Sequence, residues 1–392
     1  MNAAASVFNV GIALRAAAQA GSKRLRRAVR KPSGPVDLFL CVVDHFEPQV
    51  GQPTAALARM RLEDWLHRYP QIAGRHRDAD GRSPAHSFFY PYDEYDEWEF
   101  RRLTALCADG WGEIDLHLHH KDDTSDSLRR KFQDAVHLYH DHGVLPVWPD
   151  GRPAFGFIHG NWALDNSRCE NGHNFCGVNN ELTLLAEQGC YADFTFPAWQ
   201  HTAQPRQINS IYYALDDPSK PKSYDRGTPV RTGVPGSGTL LLVEGPLVPF
   251  ITGEGKRRRV AMDDSDLAFC RRYAPERLDR WVRAGIQVEG CPDRIFIKLH
   301  CHGAADQNRE ALLGNDFEAL FSDAEARYND GTNFRLHYVT AREMYNVVKA
   351  TEAEAHLSIP VARDWILPRP TYQAKTAKSR NHGSVPATAA SW

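Results

Sequence analysis

"VDLFLCVV", residues 36–43, is apolar at every position but one. A strand with one wet face alternates apolar and polar residues, whereas a nearly unbroken apolar run marks a strand covered on both faces, as in a parallel sheet packed between layers. The chain downstream repeats that arrangement. "TAALARMRLEDWLHRY" (54–69) has helical spacing at Leu57, Met60, Leu62 and Leu66. A second helix spans roughly 96–108, ends at Gly110 and leads into the strand "EIDLHLH". "DSLRRKFQDAVHLYHDHG" (126–143) puts Leu128, Phe132, Val136 and Tyr139 on one helical face, with Gly143 as its C-terminal stop.

Further strands are expected at "AFGFIH" (154–159), "YADFTF" (191–196), "SIYYAL" (210–215), "TLLLVE" (239–244) and "IFIKLHCH" (295–302). Between and after them come helices at 180–189, near 275–284 and at 316–328, and a last one opened by the capping box "TARE" (340–343). Strands alternating with helices argue for an α/β fold with a parallel sheet. No GxGxxG follows the first strand, and "GVPGSGT" (233–239) lacks a P-loop lysine, so neither dinucleotide nor P-loop chemistry is expected. About seven strands with potential ligands at their C-terminal ends fit an incomplete, distorted (β/α)7-like barrel better than an open sheet.

The composition is that of an ordinary globular chain: 392 residues, 42% hydrophobic, 24% charged, net charge −2. That balance gives no electrostatic case for a nucleic-acid partner. No apolar run approaches the ~18 residues of a membrane span. The eight cysteines are scattered and read as reduced buried thiols, and the expected location is the cytoplasm. "CENGHNFC" offers Cys169, His173 and Cys176, yet it has no CxxC knuckle and no fourth ligand, so no zinc is expected there.

Residues 1–35 carry Arg15, Lys23, Arg24, Arg26, Arg27, Arg30 and Lys31 and no acid. Their charge follows the apolar stretch, the reverse of a signal peptide. They are expected to form a solvated basic extension, with weak contact to an acidic membrane surface as the alternative. The domain is expected at 36–350, and 351–392 as a largely disordered extension.

Three segments place His or acid where an apolar strand ends. Asp44, His45 and Glu47 follow the first run at once. In "EIDLHLHH", alternation puts Asp115, His117 and His119 on one face and Leu116, Leu118 and His120 on the other. In "IFIKLHCH", Lys298, His300 and His302 face away from the apolar residues. Strand ends of this kind, gathered at a barrel rim, could converge on one divalent ion with a position left open for water. Imidazoles with one carboxylate suit zinc first, or another first-row ion. Such an ion makes a hydroxide available near neutral pH, which is hydrolytic chemistry.

In order and chemistry, "VVDHFEP", "EIDLHLHH", "FGFIHGNWALD", "YADFTFP" and "IKLHCH" resemble the motifs of the polysaccharide deacetylase family, the NodB-homology fold within the glycoside hydrolase/deacetylase superfamily. The resemblance spans roughly residues 36–350 and implies a metal-dependent hydrolase that removes acetyl groups from a carbohydrate. It implies Asp44 as catalytic base, His45 in place of the metal-binding aspartate, and His117 as the first metal histidine. The second falls on His119 or His120, and strand parity favours His119. Glu47 is the alternative ligand of the first loop. Asp193 matches the acid of the fourth motif and His300 the late general acid, with His302 in support. His159 and Asn161 stand near the family's arginine. Trp111, Trp162, Trp199 and the aromatics of "FFYPYDEYDEW" (88–98) are candidate sugar-stacking faces. Two other readings stay open: a glycoside hydrolase on the same fold, and a non-catalytic carbohydrate-binding protein.

Overall fold

A computed structural model describes residues 11–19, 34–170, 172–199, 201–253 and 258–373. The chain runs β1 (Val36–His45), α1 (Ala55–Ala73), β2 (His86–Pro91), α2 (Glu97–Ala108), β3 (Gly112–Leu118), α3 (Ser125–Asp141), β4 (Phe155–His159), α4 (Glu181–Glu187), β5 (Cys190–Asp193), β6 (Ile211–Ala214), β7 (Leu240–Val243), α5 (Pro275–Ala284), β8 (Arg294–Cys301), α6 (Asn315–Tyr328), β9 (Phe334–Tyr338) and α7 (Ala341–Glu352), with short strands and turns between. This is a mixed α/β fold around an eleven-stranded, mostly parallel sheet. Its order is Asp266–Leu267, β8, β1, β2, β3, β4, β5, β7, β6, Thr228–Pro229, with β9 paired to β1. β6 is antiparallel to β7.

β1 is the central strand that its apolar run announces. One edge pairs with β8 along its length, and the other is shared by β9 (Val36–Leu40) and β2 (Val43–His45). Its side chains separate cleanly by parity. Leu38, Leu40 and Val42 join one core with α1, α2, α3, α4 and α6. Phe39, Cys41 and Val43 join the other, which α7 covers through Met344, Val347 and Val348. Each of these large side chains contributes about 1.5–3 kcal/mol by leaving water.

Of the nine numbered strands, two lie outside the sequence expectation, β2 and β9. The β2 sequence "HSFFYP" carries a proline and too many aromatics to alternate, but Phe88, Phe89 and Tyr90 are all fully buried, so they are core and not stacking faces. In α1 the buried stripe is Ala58, Leu62, Trp65, Tyr69 and Ile72, and Met60 is half-exposed. The indole and phenol rings, having more surface to hide, set the helix rotation. The "TARE" box forms as read, with Thr340 and Glu343 capping reciprocally.

The packing continues past residue 350. Arg363 is fully buried and bonds Asp78 and Asp80 (2.9 and 3.0 Å) and Glu343 (3.2 Å). Arg342 forks onto Glu113 (2.7 and 2.9 Å) and reaches the Leu367 carbonyl (2.6 Å). Tyr372 N–H donates to the Gly143 carbonyl (2.9 Å). The disordered tail expected beyond that lies outside the described residues for 374–392. Of the basic N-terminal segment, residues 11–19 are helical and bury Ile12 and Ala16 against Ile208 and Leu247; this part is docked, not solvated. The lysines and arginines expected at 23–31 lie outside the described residues. No helix among the described residues is long and apolar enough to cross a membrane.

Candidate metal centre

Strand alternation decides which residues meet at the end of β1. Asp44 continues the Leu40–Val42 side and is fully buried under α1. Its Oδ2 accepts from His86 Nε2 (2.9 Å) and its Oδ1 from Gly303 N–H (2.6 Å). Gly303 has no side chain to spare there, since a Cβ would run into the Asp44 carboxylate and Trp65. Asp44 therefore ties β1 to β2 and to the turn after β8, and the position expected of a catalytic base is a structural one. His45 takes the opposite face. Its ring meets His117 edge-on (4.9 Å between centroids) and stacks on His302 (4.5 Å).

The chain then turns so that Glu47, nearly buried, comes back over the same face. Glu47 Oε1 lies 3.1 Å from His117 Nε2 and 2.9 Å from His119 Nε2. The other nitrogen of each ring is occupied. His117 Nδ1 donates to the Ile158 carbonyl (2.9 Å), and His119 Nδ1 to Asp93 Oδ2 (3.1 Å), while Asp93 Oδ1 accepts the His119 backbone N–H (2.9 Å). A carbonyl only accepts, so the His117 proton is on Nδ1 and its Nε2 presents a lone pair to a carboxylate oxygen, which is also an acceptor. Two acceptors at that distance repel unless a second ring proton or a metal cation lies between them. A carboxylate or carbonyl behind each imidazole, fixing its tautomer and orientation, is what metal-binding histidines have. His45, Glu47 and His117 have their ligand atoms within 4.8 Å of one another, so the donor set fits a divalent ion held by two or three imidazoles and one carboxylate.

The electrostatics describe the same set with a proton where an ion would lie. Burial would raise Glu47, but the bonds from His117 and His119 hold its carboxyl well below the usual range. His119 resists burial because Asp93 and Glu47 push it well above an ordinary histidine. His117 and His45 are lowered, chiefly by burial. Glu94 stands beside this set, raised to about 7 by burial and then by the Glu47 charge, and its buried Oε2 has no hydrogen-bond partner among the described residues.

Of the residues singled out from sequence, the structure gathers His45, Glu47, His117, His119, Trp162 and His302. Trp162 faces His45 (6.1 Å) and His302 (5.9 Å) across the mouth of the site. His300 lies further along β8, with Nε2 4.0 Å from Asp266, and burial followed by the Lys298 charge holds it well below the usual range. Asp193, His159 and Asn161 are not brought to this site. Asp193 is in register with Phe157 and Leu242 of the helix-side core, its carboxylate is closed on Thr195, and burial raises it to about 7. His159 is level with Leu118 and so faces away from His117. Asn161 is engaged by backbone, with its side chain donating to the His120 carbonyl (2.9 Å).

Asp93 and Glu94 were missed by sequence reasoning; they follow β2, the strand hidden by its aromatics. Trp111 packs on the helix-side core, Trp199 against the N-terminal helix, and Trp98 lies between Arg59 and Arg102, so of these four tryptophans Trp162 alone is at the site. No protein-family model matches the chain, and no curated protein matches it significantly.

Proposed function

We propose that this protein is a metal-dependent hydrolase that removes acetyl groups from a carbohydrate, with its sheet curled into a distorted barrel of about seven β/α units. The observation that carries the reading is the convergence of His117 and His119 Nε2 on Glu47 Oε1, each ring held from behind. Curling is supported by Lys298 of β8, whose Nζ donates to the Phe194 and Phe196 carbonyls beyond β5 (2.6 and 2.5 Å), though five strand pairings separate the two strands in the sheet.

A divalent ion such as zinc, held by Glu47, His117 and His119 with His45 adjacent, supplies a Lewis acid for a carbonyl and lowers the pKa of water to ~7. The rest falls to the chain. Asp93 and the Ile158 carbonyl keep the imidazoles in the tautomer that ligates. Glu94 is the carboxylate beside the ligand set placed to take a proton from the attacking water, the part that Asp44 is turned away from. His302, in ring contact with His45, is better placed than His300 to protonate the leaving amine or alkoxide. Trp162 offers a face to a sugar ring. The glycoside hydrolase alternative needs a carboxylate pair; of Asp44, Glu47 and Asp193, only Glu47 lies on this face, and there it is the carboxylate the ion would take.

The test is to incubate the zinc-loaded chain with N- and O-acetylated oligosaccharides and to follow acetate and chain length together. Acetate without shortening supports the reading. Shortening without acetate would replace it with glycoside hydrolysis, and saccharide binding with neither product would leave a binding protein.

A further inference from the structure

His159 and His120 point to the opposite face of the sheet from His117, and they meet two more potential ligands there. The His120 and His159 rings lie 4.5 Å apart. His120 Nε2 is 3.0 Å from Glu181 Oε1, and Cys176 Sγ is 3.2 Å from Glu181 Oε2. One atom from each of His120, His159, Cys176 and Glu181 falls within 4.8 Å of the other three, and all four residues are buried. Of "CENGHNFC", Cys176 alone turns inward; Cys169 and His173 are exposed, so the missing partners of that cysteine come from the ends of β3 and β4 and the start of α4.

Two independent features point to a ligand. First, His159 Nε2 is buried without a hydrogen-bond partner among the described residues, and it is directed at the cluster with Glu181 Oε1 3.8 Å away. Second, His120 Nδ1 donates to Asp123 Oδ2 (3.1 Å), which Lys131 holds in turn (2.7 Å); this is the carboxylate support usual behind a ligating imidazole. A cavity of about 420 Å³ lined by Asp123, Gly177 and Asn180 lies beside the cluster, and none of the four residues lines it.

We propose that His120, His159, Cys176 and Glu181 form a second, tetrahedral zinc site, separate from the one at Glu47. Two imidazoles, a thiolate and a carboxylate are a donor set that zinc takes readily, and the two anions neutralise the ion. Loading releases the Cys176 thiol proton and the ring proton that His120 Nε2 shares with Glu181. The His159 proton moves to Nδ1, where it would face the Asn161 N–H donor (3.1 Å), so that backbone N–H must turn away; with the bonds His120 and Cys176 make to Glu181, three hydrogen bonds are given up for four ligand bonds. The ion would pin the 161–180 segment, which carries Trp162, to the ends of β3 and β4.

Zinc K-edge X-ray absorption and metal content on the full chain, grown with zinc, test this. The wild type should hold two zinc ions per chain and show a sulfur scatterer at ~2.3 Å. His117→Ala should keep one ion and double the sulfur contribution per zinc; Cys176→Ser should keep one ion and lose the sulfur scatterer. If Cys176→Ser does not fold, the wild-type and His117→Ala spectra still decide. Absence of a sulfur scatterer from both, or a Cys176→Ser protein with unchanged metal content and spectrum, overturns the site. Acetate release plays no part in this test, so a failure of the deacetylase reading leaves its outcome intact.

Discussion

Replacing Glu47 with glutamine separates two accounts of the same three atoms. If a proton alone reconciles Glu47 with His117 and His119, the pair is an ordinary buried charge-assisted hydrogen bond. Its removal would cost about 1.5–3 kcal/mol in the metal-free protein, and metal content would be irrelevant. If a divalent ion belongs there, Glu47→Gln removes the one anionic ligand among Oε1, His117 Nε2 at 3.1 Å and His119 Nε2 at 2.9 Å. Loss of a supporting group behind a ligand typically costs 10–100-fold in metal affinity, so loss of the ligand itself should cost at least ~100-fold. Glutamine fills the same volume and can donate its amide N–H to the lone pair His117 presents, so the metal-free variant should unfold within about 1–2 kcal/mol of the metal-free wild type. The assay is competition with a zinc chelator followed by urea unfolding with and without metal. Zinc should raise the wild-type midpoint by more than it raises the variant's. An equal zinc affinity in the two proteins would refute the reasoning, because no ligand would then have been lost.

Four further outcomes follow from the same geometry. Gly160→Ala should weaken zinc binding by about 10–100-fold without touching a ligand, because its Cβ would overlap the His119 imidazole and turn Nε2 off Glu47; chelator competition measures it. Arg342→Met leaves Glu113 buried with Thr340 as its remaining bond and should cost about 3–5 kcal/mol by urea unfolding, with much of it restored in the Arg342→Met, Glu113→Gln double variant. Asp37 is held below the ordinary aspartate range: burial opposes this, but His337 and Arg335 outweigh it. A depressed acid adds stability above its unfolded pKa and loses it as pH falls through the folded value. Asp37→Asn should therefore flatten the acid limb of stability below about pH 4, and an unchanged limb would show that other groups set it. His302→Ala should slow acetate release by ~10²–10⁴-fold with metal retained, and His300→Ala by less; the reverse ranking would return the proton donor to His300.

Much of the sheet could be read from residue pattern, because buried parallel strands are written as apolar runs, as β1, β4 and β7 are, and β3 and β8 alternate. The pairing of His117 with His119, and the segregation of His120, followed from alternation alone. The same rule, carried from Val43 to the next two residues, separates Asp44 from His45, and the family resemblance masked that consequence. β2 stayed hidden because three aromatics and a proline look like a surface-binding segment until a partner on each side is known, and Asp93 and Glu94 were hidden with it. Glu47 depended on how a loop bends, which pattern does not encode. Cys176 needed partners 17 and 56 residues away in sequence, at His159 and His120, and only the fold brings them together.

The pairing of β1 also governs how this chain must be made. Asp37 is in register with Arg294 and with Arg335, so β1 pairs with two strands that are synthesised long after it. At ~5–20 residues per second, about 250 intervening residues take roughly 13–50 s to synthesise. Through that interval β1 has only the three-residue contact at Val43–His45 with β2 to engage, and most of both its edges and both its apolar faces stay open. Such non-local closure is slow even for a complete chain. Nascent chains stalled before residue 294 should be held by a chaperone or aggregate, and the cell's supply of chaperone, more than the stability of the finished sheet, should set how much of this protein accumulates.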